Sequence, residues 1–348
     1  DHNVVYLHDD PPLLRSSHWQ VPEIPENKQT PAHPVDDLFE KLKRIGNVMV
    51  IPHVGGRHAN VKKYFDAEIE HCVEILSCHG IFEWLLWDAL EEGYEVGVVC
   101  TSDGHKGRPG AEGPGAGQFG IYGGLTCVLA EEQTREAIFN ALKSRRCYGT
   151  TGARIHLDFS IDGHLMGEAF FADRRLTVHG RAHGTAPIEK LILMRGREIV
   201  NTVQPRQFTE TESSTRVRVS WEGARIRGRA RRATWDGTIL LDGVRLLRAA
   251  AFGFDSPADG IVSQDDLKVV FKSSTVGDVD GIDLFLEEGG KGTLAFQSKI
   301  GTATLDLEKL GQEEKVFDFG ELGLKVRILR YPEELDLAPL TMECTVDL

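Results

Sequence analysis

Hydrophobic residues in the first 150 positions form short continuous runs that alternate with helical patterns. The runs cover residues 4–7, 47–51, 72–76, 95–100 and 124–130. Continuous apolar runs of this length are typical of strands that are buried on both faces. Helical patterns at 35–45, 81–92 and 134–144 separate them, and Gly46 and Gly93 close the first two. Such alternation predicts repeated βα units with a parallel sheet.

Beyond residue 150 the pattern changes to the period-two alternation of antiparallel strands. Turn signals recur in IDGH at 161–164, WDG at 235–237, LDG at 241–243 and VDG at 279–281. About 200 residues are more than one small sandwich requires. We therefore expect an α/β domain over 1–152, a β-sandwich-like domain over 153–235 and a second β-rich domain over 236–348.

Composition narrows the classes of partner. A net charge of -13 and a pI near 5.5 disfavour nucleic acid, because no basic footprint is present. No apolar run reaches about 18 residues, so no membrane helix is predicted. The six cysteines contain no CxxC pair, and most lie in apolar or strand-like context. This usage suits a reducing compartment, so the cytoplasm is favoured over export.

Histidines and carboxylates follow the predicted strands of the first domain. Nine of the 13 histidines lie in the first 105 residues. His53 follows the strand at 47–51, and Asp103 with His105 follows the strand at 95–100. Carboxyl ends of parallel strands meet at one edge, so these side chains are expected to converge. Their oxygen and nitrogen ligands suit zinc, manganese or iron, although a lone histidine at a strand end is more often structural.

Three further residues have both a structural and a functional interpretation. Glu74 lies inside a buried strand, where a carboxylate requires a cation, a metal or a proton. His79 follows at the strand end. Arg108 opens a glycine-rich segment at 107–124 and suits either an anion or a surface ion pair. That segment lacks the phosphate-binding GxxxxGK[ST] pattern and is predicted to be a mobile loop over the site.

Four segments together resemble the PHP (polymerase and histidinol phosphatase) superfamily, in its large uncharacterised branch. They are IPHVGG at 51–56, VEILSCHG at 73–80, TSDGHKGRPG at 101–110 and the stretch GGLTCVLAEEQTREAIFNALKSRRCYGTTGARI at 123–155. The resemblance spans about residues 1–170 and implies the later part of a distorted (β/α)7 barrel. It also implies two or three divalent transition-metal ions, either zinc, manganese or iron, and a phosphoesterase-like activity.

The resemblance also suggests residue roles. Its metal positions are matched most directly by His53, Asp103 and His105, a further histidine position by His2, and positions characteristic of this branch by Glu74 and His79. From these matches and the residue chemistry together, the predicted metal ligands are His2, His53, Glu74, Asp103 and His105, and the predicted catalytic residues are Asp103, Arg108 and His79. PHP domains open with an H-x-H strand, which this sequence lacks. The missing part is expected on a companion N-terminal fragment or elsewhere on a longer chain; alternatively the metal centre is incomplete.

The expected function is therefore hydrolysis of a small-molecule phosphoester by a metal-activated water. Asp103 or a nearby histidine would move protons, and Arg108 would stabilise developing charge. Two alternatives stay open: hydrolysis of another ester class, and a non-catalytic binding protein with a degenerate metal site. Assembly into a homo-oligomer is open as well.

Overall fold

Short strands and three helices make up the first 152 residues. The computed structural model describes residues 1–12, 14, 35–55, 57–105, 107, 121–211, 213–228, 231–289, 291–311, 313–333 and 340–348. The elements of this first part are β1 (His2–Tyr6), α1 (Val35–Ile45), β2 (Val48–Pro52), β3 (Cys72–Ser77), β4 (Gly80–Ile81), α2 (Glu83–Glu91), β5 (Gly97–Cys100), β6 (Leu125–Val128), α3 (Arg135–Lys143) and β7 (Cys147–Thr150).

Helix α1 shows how local sequence sets these elements. Phe39 and Leu42 are three residues apart and bury the same face, while Asp36 and Asp37 in the first turn suit the positive end of the helix dipole. Gly46 follows with a φ of 73°, a conformation that glycine adopts without steric cost. The predicted helix at 35–45 is confirmed with its bounds.

The predicted barrel is wrong. Strands account for 44% of the structure and helices for 11%, and the described residues form no closed barrel. Among the strands of the described residues, only β3 and β5 pair in parallel as neighbours in a sheet. In contrast, β1 with β2 and β6 with β7 pair antiparallel across intervening helices. Hydrophobic periodicity identifies an element as strand or helix but does not set the direction in which two strands pair. The inference from alternating elements to a parallel barrel therefore failed.

Antiparallel strands dominate the remainder of the chain. Its elements are β8 (His156–Ile161), β9 (His164–Leu165), β10 (Thr177–His183), β11 (Leu191–Arg195), β12 (Glu198–Val203), α4 (Arg206–Thr209), β13 (Arg216–Glu222), β14 (Ala233–Thr234), β15 (Gly237–Asp242), β16 (Leu246–Phe252), β17 (Gly260–Gln264), β18 (Lys268–Lys272), β19 (Ser274–Thr275), β20 (Val279–Leu286), β21 (Thr293–Ser298), β22 (Thr302–Asp306), a 3-10 turn (Leu307–Lys309), β23 (Lys315–Gly320), β24 (Leu324–Arg330) and β25 (Thr341–Asp347).

Two five-stranded sheets enclose the largest core of the described structure. One has the order β16-β20-β13-β24-β23 and the other β17-β18-β15-β21-β22. Trp221 of the first sheet stacks on Phe271 of the second with ring centroids 4.5 Å apart, and Phe296 lies 5.4 Å from Trp221. These aromatic side chains are fully or almost fully buried, so they contribute a large share of the apolar area removed from water.

Strand pairing crosses the predicted domain join near residue 235. Strand β13 precedes that join and pairs with β20 and β24, which follow it. Strand β10, which also precedes the join, pairs with β25 near the end of the sequence. The domain bounds stay predictions, but the hydrogen bonds of both sheets connect residues on either side of them.

Two of the predicted turns had opposite outcomes. Asp162 and Gly163 both have positive φ, 49° and 84°, and join β8 to β9, as IDGH predicted. The VDG at 279–281 instead lies inside β20, so that prediction is wrong. Its Gly281 packs under the Phe252 ring, where a Cβ atom would come within 2.3 Å of ring carbons.

None of the described helices has the length and apolarity needed to cross a bilayer.

A buried polar chain ties the two-sheet core together at Asp280. Trp221 donates its indole N–H to Ser273 Oγ at 2.6 Å, and Ser273 donates its hydroxyl to Asp280 Oδ2 at 2.6 Å. Asp280 is 1% exposed, and its Oδ1 has no hydrogen-bond partner. Burial raises the pKa of Asp280 to about 8. The carboxyl is therefore protonated in the folded protein at neutral pH.

Asp280→Asn should flatten the pH dependence of stability. The folded carboxyl holds its proton more tightly than the unfolded one, so its contribution is full below about pH 4 and is lost as the pH rises towards 8. One such proton changes the free energy of unfolding by about 1.4 kcal/mol per pH unit. Urea denaturation between pH 5 and pH 8, roughly the span between those two pKa values, should show a smaller decline in the variant. The exposed Asp266→Asn serves as control; equal slopes in all three proteins would contradict the prediction.

Candidate metal centre

Residues from three strands meet at one edge of the first part of the chain. His53 follows β2, Glu74 lies within β3, His79 follows β3, and Asp103 follows β5. Strands β3 and β5 run parallel, so the segments after their carboxyl ends come together. The expected convergence of His53 and Asp103 is thus present, although the sheet around them is small and mixed.

His53 lies between two carboxylates. Its Nδ1 is 2.5 Å from Glu74 Oε1, and its Nε2 is 3.1 Å from Asp103 Oδ2. Burial opposes protonation of the ring, but Asp103 and Glu74 outweigh it and raise the pKa of His53 to about 9. In the metal-free protein the ring is therefore favoured as a cation, and a metal ion could bind here after displacing the Nε2 proton.

Glu74 is held by side chains from three separate segments. Oε1 accepts from His53, while Oε2 accepts from Asn3 Nδ2 at 3.0 Å and from Thr101 Oγ1 at 3.1 Å. The cost of burying this carboxylate is thus offset by three donors. A carboxylate behind a histidine fixes the ring's orientation and tautomer in many metal sites. This geometry favours an orienting role for Glu74 over the direct ligation predicted from the sequence.

Asp103 provides an oxygen with spare coordinating capacity. Its Oδ2 is 3.1 Å from Nε2 of both His53 and His79, yet this buried atom has no hydrogen bond of normal geometry in the described structure. Burial opposes ionisation, but the two histidines outweigh it and hold the pKa of Asp103 well below its usual range. The backbone φ of 44° places Asp103 in the left-handed region, in which aspartate is tolerated better than most residues.

Cys78 is the residue that the sequence analysis missed. One ligand atom each from Cys78, His79 and His105 lies within 4.8 Å of the others. Cys78 is 1% exposed, and its Sγ lies 3.2 Å from the Asp103 carbonyl oxygen. Sulfur and imidazole nitrogen together form a ligand set typical of zinc. Its position next to His79, at a strand end, was the available signal; scattered spacing suggested an ordinary buried cysteine instead.

His2 lies in β1 and pairs with Glu70, another residue that the sequence analysis did not select. His2 Nε2 is 3.6 Å from Glu70 Oε1, and both atoms are buried without a hydrogen-bond partner. Desolvation is the largest influence on each: it lowers the pKa of His2 to about 3 and raises that of Glu70 to about 8. A neutral imidazole with an unshared lone pair beside a carboxyl group is a second pair of potential metal ligands.

The residues present fit a divalent transition metal. The buried atoms that lack hydrogen bonds include Asp103 Oδ2, His2 Nε2 and Glu70 Oε1, which are chemically ligand atoms. The side chains best placed to hold an ion are His53, His79, Asp103, Cys78 and His105. Arg108 and most of the predicted loop at 107–124 lie outside the described residues, so their predicted roles stay predictions.

The β-rich part of the chain forms a wall of this centre. Ile81, two residues after His79, donates its backbone N–H to the Val276 carbonyl at 3.0 Å. Val276 also joins Leu76, Cys100 and Ile121 in one apolar cluster. Contacts from a distant part of the sequence thus exclude water behind the segment that carries Cys78 and His79.

Comparison with known proteins finds partial similarities but no activity. Residues 116–192 match a family described as a protein of unknown function (DUF3604). An uncharacterised protein of Chlamydia pneumoniae is 35% identical over 88 residues, which are 24% of this chain and 14% of the relative. An uncharacterised protein of Chlamydia muridarum is 31% identical over 169 residues, which are 40% of this chain and 27% of that relative. No solved structure matches the chain significantly.

His79→Ala should abolish tight binding of zinc. His79 contacts Asp103 and belongs to the cluster with Cys78 and His105, so its loss removes a ligand rather than an outer partner. Loss of an outer partner alone costs about 10- to 100-fold in affinity, and removal of a ligand should exceed this. Competition with a chromophoric chelator measures the constant. His156→Ala, an exposed histidine in β8, should bind zinc like the wild type; equal affinity in both variants would contradict the assignment.

Glu74→Gln should weaken metal binding only moderately. The amide oxygen can still accept from His53 Nδ1, while the negative charge is lost, so we expect about a 10-fold loss of zinc affinity. Glu74→Ala removes the acceptor as well and should cost more. If Glu74 is instead a direct ligand, the Gln variant will lose affinity as severely as His79→Ala.

Proposed function

We propose that this protein is a metal-dependent hydrolase, with a phosphoester as the favoured substrate class. The observation that carries the proposal is the arrangement of His53, His79 and Asp103, in which a buried carboxylate oxygen faces two imidazoles without a hydrogen bond of its own. Cys78 and His105 adjoin this group. The resemblance of the sequence segments to PHP hydrolases supports the same chemistry.

The side chains of the centre would have different roles in hydrolysis. A divalent metal ion, when bound, lowers the pKa of a coordinated water and stabilises negative charge on a phosphoryl oxygen. Glu74 keeps the His53 proton on Nδ1, so that Nε2 faces the centre. Asp103, whose pKa is held low by the histidines, stays ionised at neutral pH. A carboxylate of low pKa is a weak base, so Asp103 would act mainly as a metal ligand and would accept a proton only from a water that the metal ion has made acidic.

Exposure separates the inner and outer residues of the centre. Cys78 is buried, whereas His105 is exposed and lies at the solvent side. An exposed histidine at the rim can exchange protons with bulk water and with a leaving group. When its ring is not coordinated to the metal ion, His105 is therefore the candidate that returns a proton to the leaving alcohol. The six free cysteines suit a cytoplasmic location, which is part of the proposal.

Two other functions use the same residues differently. A site that activates water does not select phosphorus over another electrophile, so a carboxylic or sulfuric ester is the second candidate. A binding protein with a degenerate metal site is the third. It predicts no tightly bound metal and no functional loss in His105→Ala.

Metal analysis combined with an ester panel tests the proposal. The wild type, purified and loaded in turn with zinc, manganese or iron, should retain metal and hydrolyse p-nitrophenyl phosphate or bis(p-nitrophenyl) phosphate. Asp103→Asn should reduce kcat/KM by about 100-fold or more and should also lower metal content. Asp158→Asn, an exposed carboxylate of β8, is the matched control.

The outcomes separate the three candidates. Cleavage of p-nitrophenyl acetate or sulfate, with both phosphate esters untouched, would favour the second function. A wild-type protein that retains no metal under any loading condition would contradict both hydrolase proposals and favour the binding protein.

A further inference from the structure

An arginine of the β-rich part is inserted behind the loop that carries His53. Arg231 is 7% exposed. Its Nη1 donates to the Val54 carbonyl at 3.2 Å, and its Nη2 donates to the Gly55 carbonyl. Its Nε donates to the Gly228 carbonyl at 3.0 Å, which fixes the guanidinium to its own segment. The planar fork thus joins two parts of the chain that lie more than 170 residues apart.

The partners of Arg231 are unusual for a buried cation. Most buried charges are paired with an opposite charge, whereas the hydrogen bonds described for this guanidinium all go to backbone carbonyl oxygens. The ring of Phe82 lies 5.1 Å from the guanidinium carbon and covers it. Burial lowers the pKa of Arg231, although a guanidinium remains charged in proteins. Burying a guanidinium without a carboxylate partner is costly, so the reason for its position is sought in the loop to which the Val54 and Gly55 carbonyls belong.

Gly55 connects the arginine to the His53 ring. A Cβ atom on Gly55 would lie 2.9 Å from His53 Nε2, so the backbone of Gly55 packs directly against the ring atom that faces Asp103. The loop is otherwise closed by the Ala59 N–H, which donates to the His53 carbonyl at 3.0 Å. A shift of the Gly55 carbonyl would therefore move the backbone that confines Nε2.

We propose that Arg231 is a positioning residue for the metal centre: it holds the Val54 and Gly55 carbonyls and thereby fixes the orientation of His53. The inference rests on the proposed function only in taking His53 as a metal ligand. It assigns to the β-rich part a direct influence on metal affinity, in addition to its role as a wall. It also explains why the arginine binds carbonyls of this loop and not a neighbouring carboxylate.

Cobalt(II) is the probe that tests this role. Arg231→Lys retains a positive charge on a single donor nitrogen but loses the planar fork that binds two carbonyls at once. We expect about a 10-fold weaker Co²⁺ affinity and a changed visible d–d spectrum, because the ligand field reports the geometry of His53. Thermal melting monitored by circular dichroism establishes that the variant is folded. Arg231→Met, which removes the charge and all donors, is a second variant. If it does not fold, the result of Arg231→Lys alone tests the proposal.

Arg227→Met is the matched control. Arg227 belongs to the same segment, but its hydrogen bond goes to Asp88 of helix α2 at 2.6 Å, and its guanidinium lies 4.6 Å from the ring of Trp84 on the same helix. The Arg227→Met substitution should lower stability without changing Co²⁺ affinity or the spectrum, because Arg227 donates no hydrogen bond to the Val54 or Gly55 carbonyl. A folded Arg231→Lys protein with wild-type affinity and a wild-type spectrum would overturn the inference.

If the protein is not a metal-dependent enzyme, the experiment gives a result that differs from a failure of the positioning role. In that case the wild type takes up no Co²⁺, and the positioning role is read from the ¹⁵N resonances of the His53 ring in the metal-free protein. Altered His53 resonances in Arg231→Lys, with those of His156 unchanged, would support positioning. Unchanged His53 resonances would overturn it.

Discussion

The pairing of His53 with Glu74 and Asp103 is the interaction on which the centre depends. The ring bridges a carboxylate inside β3 and a carboxylate after β5, so it joins the two parallel strands through side chains as well as through backbone. Removing either acid would leave a buried, partly charged group without its partner, which costs several kcal/mol in typical cases. The same three groups define where a cation is favourable. Stability and metal binding therefore draw on one set of contacts.

The convergence of His53 and Asp103 was more predictable from sequence than the fold around them. His53, Asp103 and His105 were found because each follows an apolar run, and a strand end is a local property of the sequence. The direction of strand pairing is not local: nothing in residues 1–7 or 47–52 specifies that β1 and β2 run antiparallel. Glu74 was recognised as an anomaly in a buried strand, but its donors Asn3 and Thr101 come from distant segments.

Residues whose contacts come from distant segments could not be identified from the sequence, because those contacts are not a local property either. The alternating arginines at 225–231 look like one solvated face of a strand, yet Arg231 is buried against the His53 loop and Arg227 is paired with Asp88. From sequence alone Cys78 resembles an ordinary core cysteine. In the structure, the parallel pairing of β3 with β5 places His105 near it. In each case the residue type is evident from the sequence, whereas its contacts depend on long-range packing.

The pairing of β10 with β25 has a consequence for how the chain reaches its native state. Strand β10 lies between β8 and β25, and its partners His183 and Thr341 are 158 residues apart in sequence. At a synthesis rate of about 5–20 residues per second, the ribosome needs roughly 10–30 s to deliver β25 after β10 has emerged. Throughout that interval β10 has an open edge, which is the kind of surface that recruits foreign strands. Nascent chains of this protein should therefore depend on chaperones for longer than their final stability would suggest.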